Sequence, residues 1–312
     1  MSKRDIKIED VIAVKEKNEE RLFALPGVTG VGTGYKIKDG KETDELAIVV
    51  YVAKKIFDDK LIEQKDKIPS EIDGIKTDVL EGIFKFLTHE VEYGEAFVDT
   101  GRYDPLIGGI SIGSRRVVSG TISTGTLGIV ILDRNTNRKY ILSNWHVLYR
   151  NGAGSNGDII AQPSLADGGT SANNNVGTNV RAVINDLVDC AIATTQSRNS
   201  TENSIRGIGT INGYDSAVIN RMVQKRGRTT ELTRGGQIVD LNFSVSVDGR
   251  IFNNQIRITS ASRFSGSGDS GSVIVDQSTT FVVGLLFAGN AAGTLTVANH
   301  INRVFGALNV RV

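Results

Sequence analysis

Gly266-Ser267-Gly268-Asp269-Ser270-Gly271-Ser272, followed at once by Val273-Ile274-Val275, is the stretch on which the fold is decided. It satisfies G-x-G-x-x-G in form, but a dinucleotide fingerprint closes a strand and opens a helix. Here a β-branched apolar run follows, so the context is wrong for that motif. Acyl transfer needs a nucleophile on a tight turn with backbone N–H groups aimed at the developing oxyanion. Glycines at 266, 268 and 271 permit such a turn, and Ser270 presents the hydroxyl. A plain Gly/Ser turn between two strands is the other reading, and this stretch alone leaves it open.

A serine hydroxyl is a weak nucleophile without a neighbouring base. The chain has three histidines. His146 follows an apolar run in Tyr140-Ile141-Leu142-Ser143-Asn144-Trp145-His146-Val147-Leu148, which suits a positioned base as well as a half-buried structural histidine. His89 lies in a charged segment and reads as surface; His300 opens a terminal helix and reads as structural. A carboxylate must then fix the imidazole tautomer. Asp189 opens the small apolar strand Asp189-Cys190-Ala191-Ile192-Ala193 and reads as partly buried, whereas Asp186 reads as a loop residue.

Ser143-Asn144-Trp145-His146-Val147, Asp189-Cys190-Ala191-Ile192 and Gly268-Asp269-Ser270-Gly271 together resemble the three signature blocks of the trypsin/chymotrypsin-fold serine peptidases, in that family's order. The three polar residues are 43 and 81 positions apart, as in compact bacterial-type members. Lys225-Arg226-Gly227-Arg228-Thr229-Thr230 resembles a strand of the second barrel. Val283-Gly284-Leu285-Leu286-Phe287-Ala288-Gly289 resembles the strand that pairs with substrate backbone. The similarity covers about residues 106–312.

The resemblance implies a mainly β protein, a double antiparallel β-barrel, acting as a serine endopeptidase through an acyl-enzyme. Ser270 would be the nucleophile, His146 the general base and acid, and Asp189 its orienter. The N–H groups of Gly268 and Ser270 would form the oxyanion hole. The pocket for P1, the residue whose carbonyl is attacked, would be walled by Phe264, Ser265, Gly266 and Ser267 and by Phe287, Ala288 and Gly289. None is charged, so an aliphatic or small P1 is expected, with His300 the one route to an acidic P1. Protein or peptide substrates are implied, with no cofactor and no metal.

Some positions depart from the family pattern. Ser272 replaces a second glycine, and Phe287 stands where a serine often supports the buried aspartate. Pro105-Leu106-Ile107-Gly108-Gly109 echoes the start of an activated digestive protease, but no Lys or Arg immediately precedes it. Activation by clipping, with a new amine on Asp269, is therefore not expected, and Asp269 needs another partner.

The rest of the 312 residues obey different rules. Residues 1–100 carry 16 basic and 22 acidic side chains; residues 101–312 carry 20 and 13. Fourteen of 16 lysines precede residue 101, while 27 of 35 glycines follow it. The pattern predicts a small α+β domain over 1–85, a linker over 86–105 and the barrels over 106–312. The first domain should hold a helix at Ile8–Ala24, strands at Val28–Ile37, Glu45–Ala53 and Ile75–Leu80, an Asp39-Gly40 hairpin turn and a helix over 56–67. Further strands are expected at Val117–Ile122, Leu127–Leu132, Lys139–Leu142, Asp189–Thr194, Gln237–Val247, Ile251–Ile258, Ser272–Val275 and Thr280–Phe287, with a polar loop over 164–179 and a helix at Asn299–Leu308.

The opposite net charges, −6 and +7, favour docking of the first domain on the barrels, where it would restrict access or mediate assembly, homo-oligomers included. Net charge near zero and no apolar run of about 18 residues argue against nucleic acid and membrane as partners. The cluster Lys225, Arg226, Arg228 and Arg234 lacks interleaved aromatics and reads as a solvated face or a structural strand. Gly30-Val31-Gly32-Thr33-Gly34 lacks the Lys-Ser/Thr of a phosphate loop. One cysteine, Cys190, excludes an intramolecular disulfide, and with no leader at Met1 the chain reads as cytoplasmic. The rival in another functional class is a protease-fold binding or scaffold protein with no turnover or only self-processing.

Overall fold

The computed structural model describes residues 6–56, 63–92, 98–195 and 198–312. Among these, strands dominate and gather into two barrels. The second barrel closes on itself: the strands run in the order Met222–Gly227, Val273–Asp276, Phe281–Gly289, Leu295–His300, Arg250–Thr259 and Glu231–Val247, and the last pairs back onto the first. The first barrel is part of a nine-stranded sheet that runs from Val310–Arg311 through Ile129–Asp133, Lys139–Ser143, Asp189–Thr194, Asn175–Ile184, Ile159–Ala161 and Ile110–Ser114 to Thr121–Leu127 and His89–Glu92. Its ring is drawn together where Gly128 N donates to Leu142 O at 2.9 Å.

The first region of the chain extends the second barrel's sheet. The strand Val28–Lys38 pairs with Glu231–Val247, and Lys41–Val52 and Ile75–Glu81 follow. Alternation decides how this layer packs, because successive strand side chains point to opposite faces. Ile48 and Val50 face the helix Ile8–Phe23 with Val11 and Leu22; Val49 and Tyr51 join Phe84, Phe86 and Phe243 on the other face. Buried Lys15 on this helix pairs with Glu19 and donates to Ser244 Oγ at 2.8 Å, which pins the helix to the barrel strand. The hairpin turn has Asp39 at φ +50° and Gly40 at φ +75°, as expected for Asp-Gly.

The barrels share a core of Ile129, Leu142, Cys190, Val273 and Leu285, closed by the helix Ile301–Leu308 through Ile301, Val304, Phe305 and Leu308. That i, i+3, i+4, i+7 spacing is one helical face. Burial pushes the Cys190 thiol well above its usual pKa, so it acts as a small apolar side chain.

Three expectations are corrected, and one of two alternatives is decided. The strand expected at Val117–Ile122 begins only at Thr121, because Ser119 and Gly120 both adopt positive φ and make a turn. The polar stretch 164–179 is not all loop. Asn175–Ile184 is a strand whose polar side chains find partners, with Asn179 Nδ2 donating to Leu148 O at 2.8 Å. Of the two readings of the basic cluster, the structural strand holds for most of it: Lys225 and Arg226 lie in Met222–Gly227 and are buried, as is Arg228, while Arg234 is exposed. Residues 56–67 are not a helix where they are described: Gln64–Asp66 is a single 3-10 turn, and 57–62 lie outside the described residues. Residues 86–92, the start of the expected linker, lie across the cleft between the barrels, with strands at Lys85–Phe86 and His89–Glu92.

Candidate active site

His146 sits in the one-turn helix Trp145–Leu148 at the end of the strand Lys139–Ser143. Asp189 is the first residue of a neighbouring strand, and both side chains are fully buried. The carboxylate is bonded twice by His146: Oδ2 pairs with ring Nδ1, and Oδ1 accepts the backbone N–H at 3.2 Å. Its backbone is clamped by two asparagines. Asn144 Nδ2 donates to Asp189 O at 2.7 Å, and Asp189 N donates to Asn299 Oδ1 at 3.0 Å. These clamps hold the aspartate without a hydroxyl at position 287. The ring's other nitrogen, Nε2, is buried with no hydrogen-bond partner.

Ser270 lies on the turn 266–271, where Gly268 and Gly271 have φ of +101° and +94°. The turn is anchored to the first barrel by Thr126, whose N–H donates to Ser270 O at 2.8 Å and whose hydroxyl donates to Gly268 O at 3.0 Å. Beneath it, Asp269 accepts from Gly266 N, Thr229 N, Thr230 N and the Thr230 hydroxyl, and from Lys225 Nζ at 3.0 Å. Lys225 is thus the partner that a clipped terminus would otherwise supply. Burial holds its ammonium below the usual lysine pKa, with the Asp269 carboxylate offsetting part of that shift. The Ser270 hydroxyl donates to Phe287 O at 3.0 Å, so the structure brings His146 and Asp189 into contact but leaves the hydroxyl on a different acceptor.

The cleft is occupied by the chain itself. Lys85–Phe86 pairs antiparallel with the strand Phe281–Gly289, placing Phe86 opposite Ala288 and Lys85 opposite Gly289. Leu87 N donates to Phe287 O at 3.0 Å. Leu87 O accepts from Gly268 N at 2.6 Å and from Ser270 N at 3.1 Å. Both N–H groups expected to receive an oxyanion therefore converge on one carbonyl oxygen. The Leu87 side chain is buried in the cluster that contains Phe264, Ile258 and Leu286, and its Cδ1 lies 3.1 Å from where a Cβ on Gly289 would stand. The Phe86 ring stacks on His146 with centroids 4.3 Å apart. Beyond Leu87, Ser267 Oγ donates to Thr88 O at 2.8 Å, and His89–Glu92 pairs antiparallel with Thr121–Leu127.

Ser267, Phe287, Ala288 and Gly289 thus all meet this segment, the last three through the backbone. Two histidines are engaged elsewhere. His300 Nε2 donates to Leu241 O at 3.0 Å. His89 is half-buried rather than freely exposed; its Nδ1 meets Arg228 Nη1 at 3.1 Å, and burial and that guanidinium depress its pKa. Arg228 is itself held bidentately by Asp167. Asn144, Asn299 and Lys225 escaped the reading of roles from sequence, although Asn144 and Lys225 stand inside the blocks that carry the resemblance. Phe86 and Leu87 had one signal, their place in the apolar run Ile83-Phe84-Lys85-Phe86-Leu87, interrupted by a single lysine. Among the described residues no group of His, Cys, Asp or Glu has the arrangement of a metal site, and no helix is long and apolar enough to cross a membrane.

No family model matches the sequence, and no curated protein matches it. Solved structures do match. Nocardiopsis protease is 20% identical over 66% of this chain and 98% of its own, with a TM-score of 0.50. A glutamic acid-specific serine protease that uses a histidine triad in substrate binding is 19% identical over 66% of this chain and all of its own, with a TM-score of 0.51. Thermobifida fusca protease A is 18% identical over 66% and 97%, with a TM-score of 0.50. At such identity the likeness speaks for architecture, and by architecture this chain has the double β-barrel fold of the bacterial trypsin-like serine proteases.

Proposed function

We propose that this chain is a serine endopeptidase. The observation that carries the reading is the convergence of the Gly268 and Ser270 N–H groups on one peptide carbonyl oxygen, beside a buried His146–Asp189 pair. Donors fixed on the oxygen of an acyl group are poised for the negative charge that develops there when a nucleophile adds. The reaction requires the Ser270 hydroxyl to leave Phe287 O for the unpartnered His146 Nε2. Nε2 then takes the hydroxyl proton as Oγ adds to the carbonyl carbon, and returns it to the leaving amine. Asp189 holds the tautomer in which Nε2 can accept. Water repeats the sequence on the acyl-enzyme.

The second reading, a protease-fold scaffold without turnover, draws on the filled cleft and the Ser270 hydroxyl's bond to Phe287 O. Casein separates the two once the segment has been displaced. Leu87→Asp places a carboxylate in an apolar pocket and should evict the segment. That variant should degrade casein, and a folded Leu87→Asp chain with no hydrolysis would favour the scaffold.

The same variant reports specificity. The pocket that receives Leu87 has no charged wall, and His300 is engaged with Leu241 O. Cleavage profiling on a peptide library should show an aliphatic P1, leucine foremost, with an aromatic residue favoured before it because Phe86 stacks on His146. A profile dominated by Lys, Arg or Glu at P1 would contradict this pocket.

Gly268→Ala tests the donors. Its φ of +101° disfavours any side chain, and a Cβ would stand 2.2 Å from Thr229 Oγ1. The turn must shift and the N–H must lose its aim, so kcat should fall about 10²–10³-fold while the fold survives. Unchanged kcat would remove this N–H from the mechanism.

A further inference from the structure

We propose that the buried guanidinium of Arg228 selects substrates by the second residue after the scissile bond, P2′, and requires there a side chain that accepts a hydrogen bond. The inference rests on the endopeptidase reading and adds to it a class of substrate. Its ground is a charge pair whose hydrogen bonds are complete on the protein's side and open on the cleft's. Asp167 and Arg228 are both fully buried. Asp167 Oδ1 accepts from Arg228 Nη2 at 2.6 Å and from Val98 N at 2.7 Å. Its Oδ2 accepts from Arg228 Nε at 2.8 Å and from the hydroxyls of Ser111 and Ser164. The carboxylate is thus saturated by its own surroundings.

Arg228 Nη1 is the corner left over. It borders the turn that carries the oxyanion donors, since a Cβ on Gly268 would stand 3.1 Å from it. It donates to Thr229 Oγ1 at 3.3 Å and to His89 Nδ1 at 3.1 Å. An arginine that served only to hold the turn would find all its acceptors in the turn; this one takes an acceptor from what lies in the cleft. The register says which residue that is. Leu87 O receives the Gly268 and Ser270 N–H groups, so Leu87 stands at P1, Thr88 at P1′ and His89 at P2′. His89 lies opposite Thr124 on the strand Thr121–Leu127. Strand addition fixes register through main-chain bonds and leaves selection to side-chain pockets, so any peptide added in this register sets its P2′ side chain on Arg228.

A guanidinium offers only donors and stays charged. The imidazole of His89 meets it with Nδ1 unprotonated, a form that burial and the guanidinium both favour by depressing its pKa. The Asp167 carboxylate behind the guanidinium acts in the other sense, and Glu90, next along the strand, pairs with Arg150. Asn, Gln, Asp and Glu can accept in the same place. Leu leaves Nη1 short of a partner, and Lys adds a second cation that has no acceptor. Because Asp167 already neutralises Arg228, the selection is by hydrogen bonding rather than by net charge, and an amide should serve about as well as a carboxylate.

The test measures kcat/KM on end-blocked peptides Ala-Phe-Leu-Thr-X-Val with full-length Leu87→Asp/His89→Lys protein, in which the segment's P1 and P2′ side chains are both unfit for the cleft. At about pH 7.5, X = Asn, Gln, Glu and His should lie within a few-fold of one another; Leu should fall about tenfold below them and Lys about 10²-fold. Lowering the pH to about 5.5 should cut the His-to-Asn ratio about tenfold, because a free imidazole titrates near about 6.5 and its protonated form accepts nothing. Adding Arg228→Gln and Asp167→Asn, which takes out both charges and leaves amides, should bring Lys to within about tenfold of Asn. The parent series decides even where that variant fails to fold. A flat series, a series that favours only Asp and Glu, or no peptide cut while Leu87→Asp hydrolyses casein would overturn the P2′ assignment alone. Neither peptide nor casein cut, in folded protein, would remove the endopeptidase reading with it.

Discussion

Ser270→Ala, made in the Leu87→Asp background so that the cleft is open, is expected to lower kcat for peptide hydrolysis by about 10⁶-fold. In the proposed mechanism the alanine removes the atom that would form the acyl bond and leaves the two N–H donors in place, so residual turnover should remain above the uncatalysed rate. His146→Ala should cost a similar factor, and the double variant little more, because the hydroxyl and the imidazole act in one proton transfer. His300→Ala is the control, since its ring nitrogen is engaged with Leu241 O away from the Asp189 pair. Initial rates on a leucine-P1 peptide measure all four. A Ser270→Ala loss below tenfold would leave some other group as the nucleophile.

Asp189→Asn in the same background should lower kcat by roughly 10⁴-fold with little change in fold. The size follows from two bonds that a carboxylate can accept at once and an amide cannot. Asp189 Oδ1 accepts the His146 backbone N–H, and Oδ2 faces ring Nδ1. The backbone N–H is a permanent donor, so the carbonyl of an asparagine must face it and the NH₂ must face the ring. Nδ1 then has to accept, the proton moves to Nε2, and Nε2 can no longer take one from Ser270. Raising the pH would not restore the rate, because the fault is the tautomer rather than the charge. A loss under tenfold would show that Asp189 only packs against the imidazole.

Much of this site was legible because its chemistry sits in short blocks with little freedom. A nucleophile turn needs its glycines, and a base with its orienter needs a strand end on either side. What stayed hidden depends on who meets whom across the fold. Lys225 stands in a basic run that reads as a solvated face or a structural strand, and only the barrel's closure shows that it ends beside Asp269. The first half of the strand Asn175–Ile184, up to Asn179, reads as loop because it is polar, its side chains being satisfied by bonds such as Asn179 to Leu148 O. The charge imbalance between the two regions pointed toward contact between them, yet what enters the cleft is the apolar pair Phe86 and Leu87. Net charge carries no information about that pair. Its fit to an uncharged pocket becomes visible only when position 86 is placed opposite position 288.

The most direct measurement is labelling of folded Leu87→Asp protein with a fluorophosphonate, followed by peptide mass mapping. Only an activated serine reacts at a useful rate. One adduct is expected, on Ser270, formed quickly in this variant and lost in Leu87→Asp/His146→Ala. No adduct on Ser270 in folded protein, or an adduct that forms as fast without His146, would contradict it.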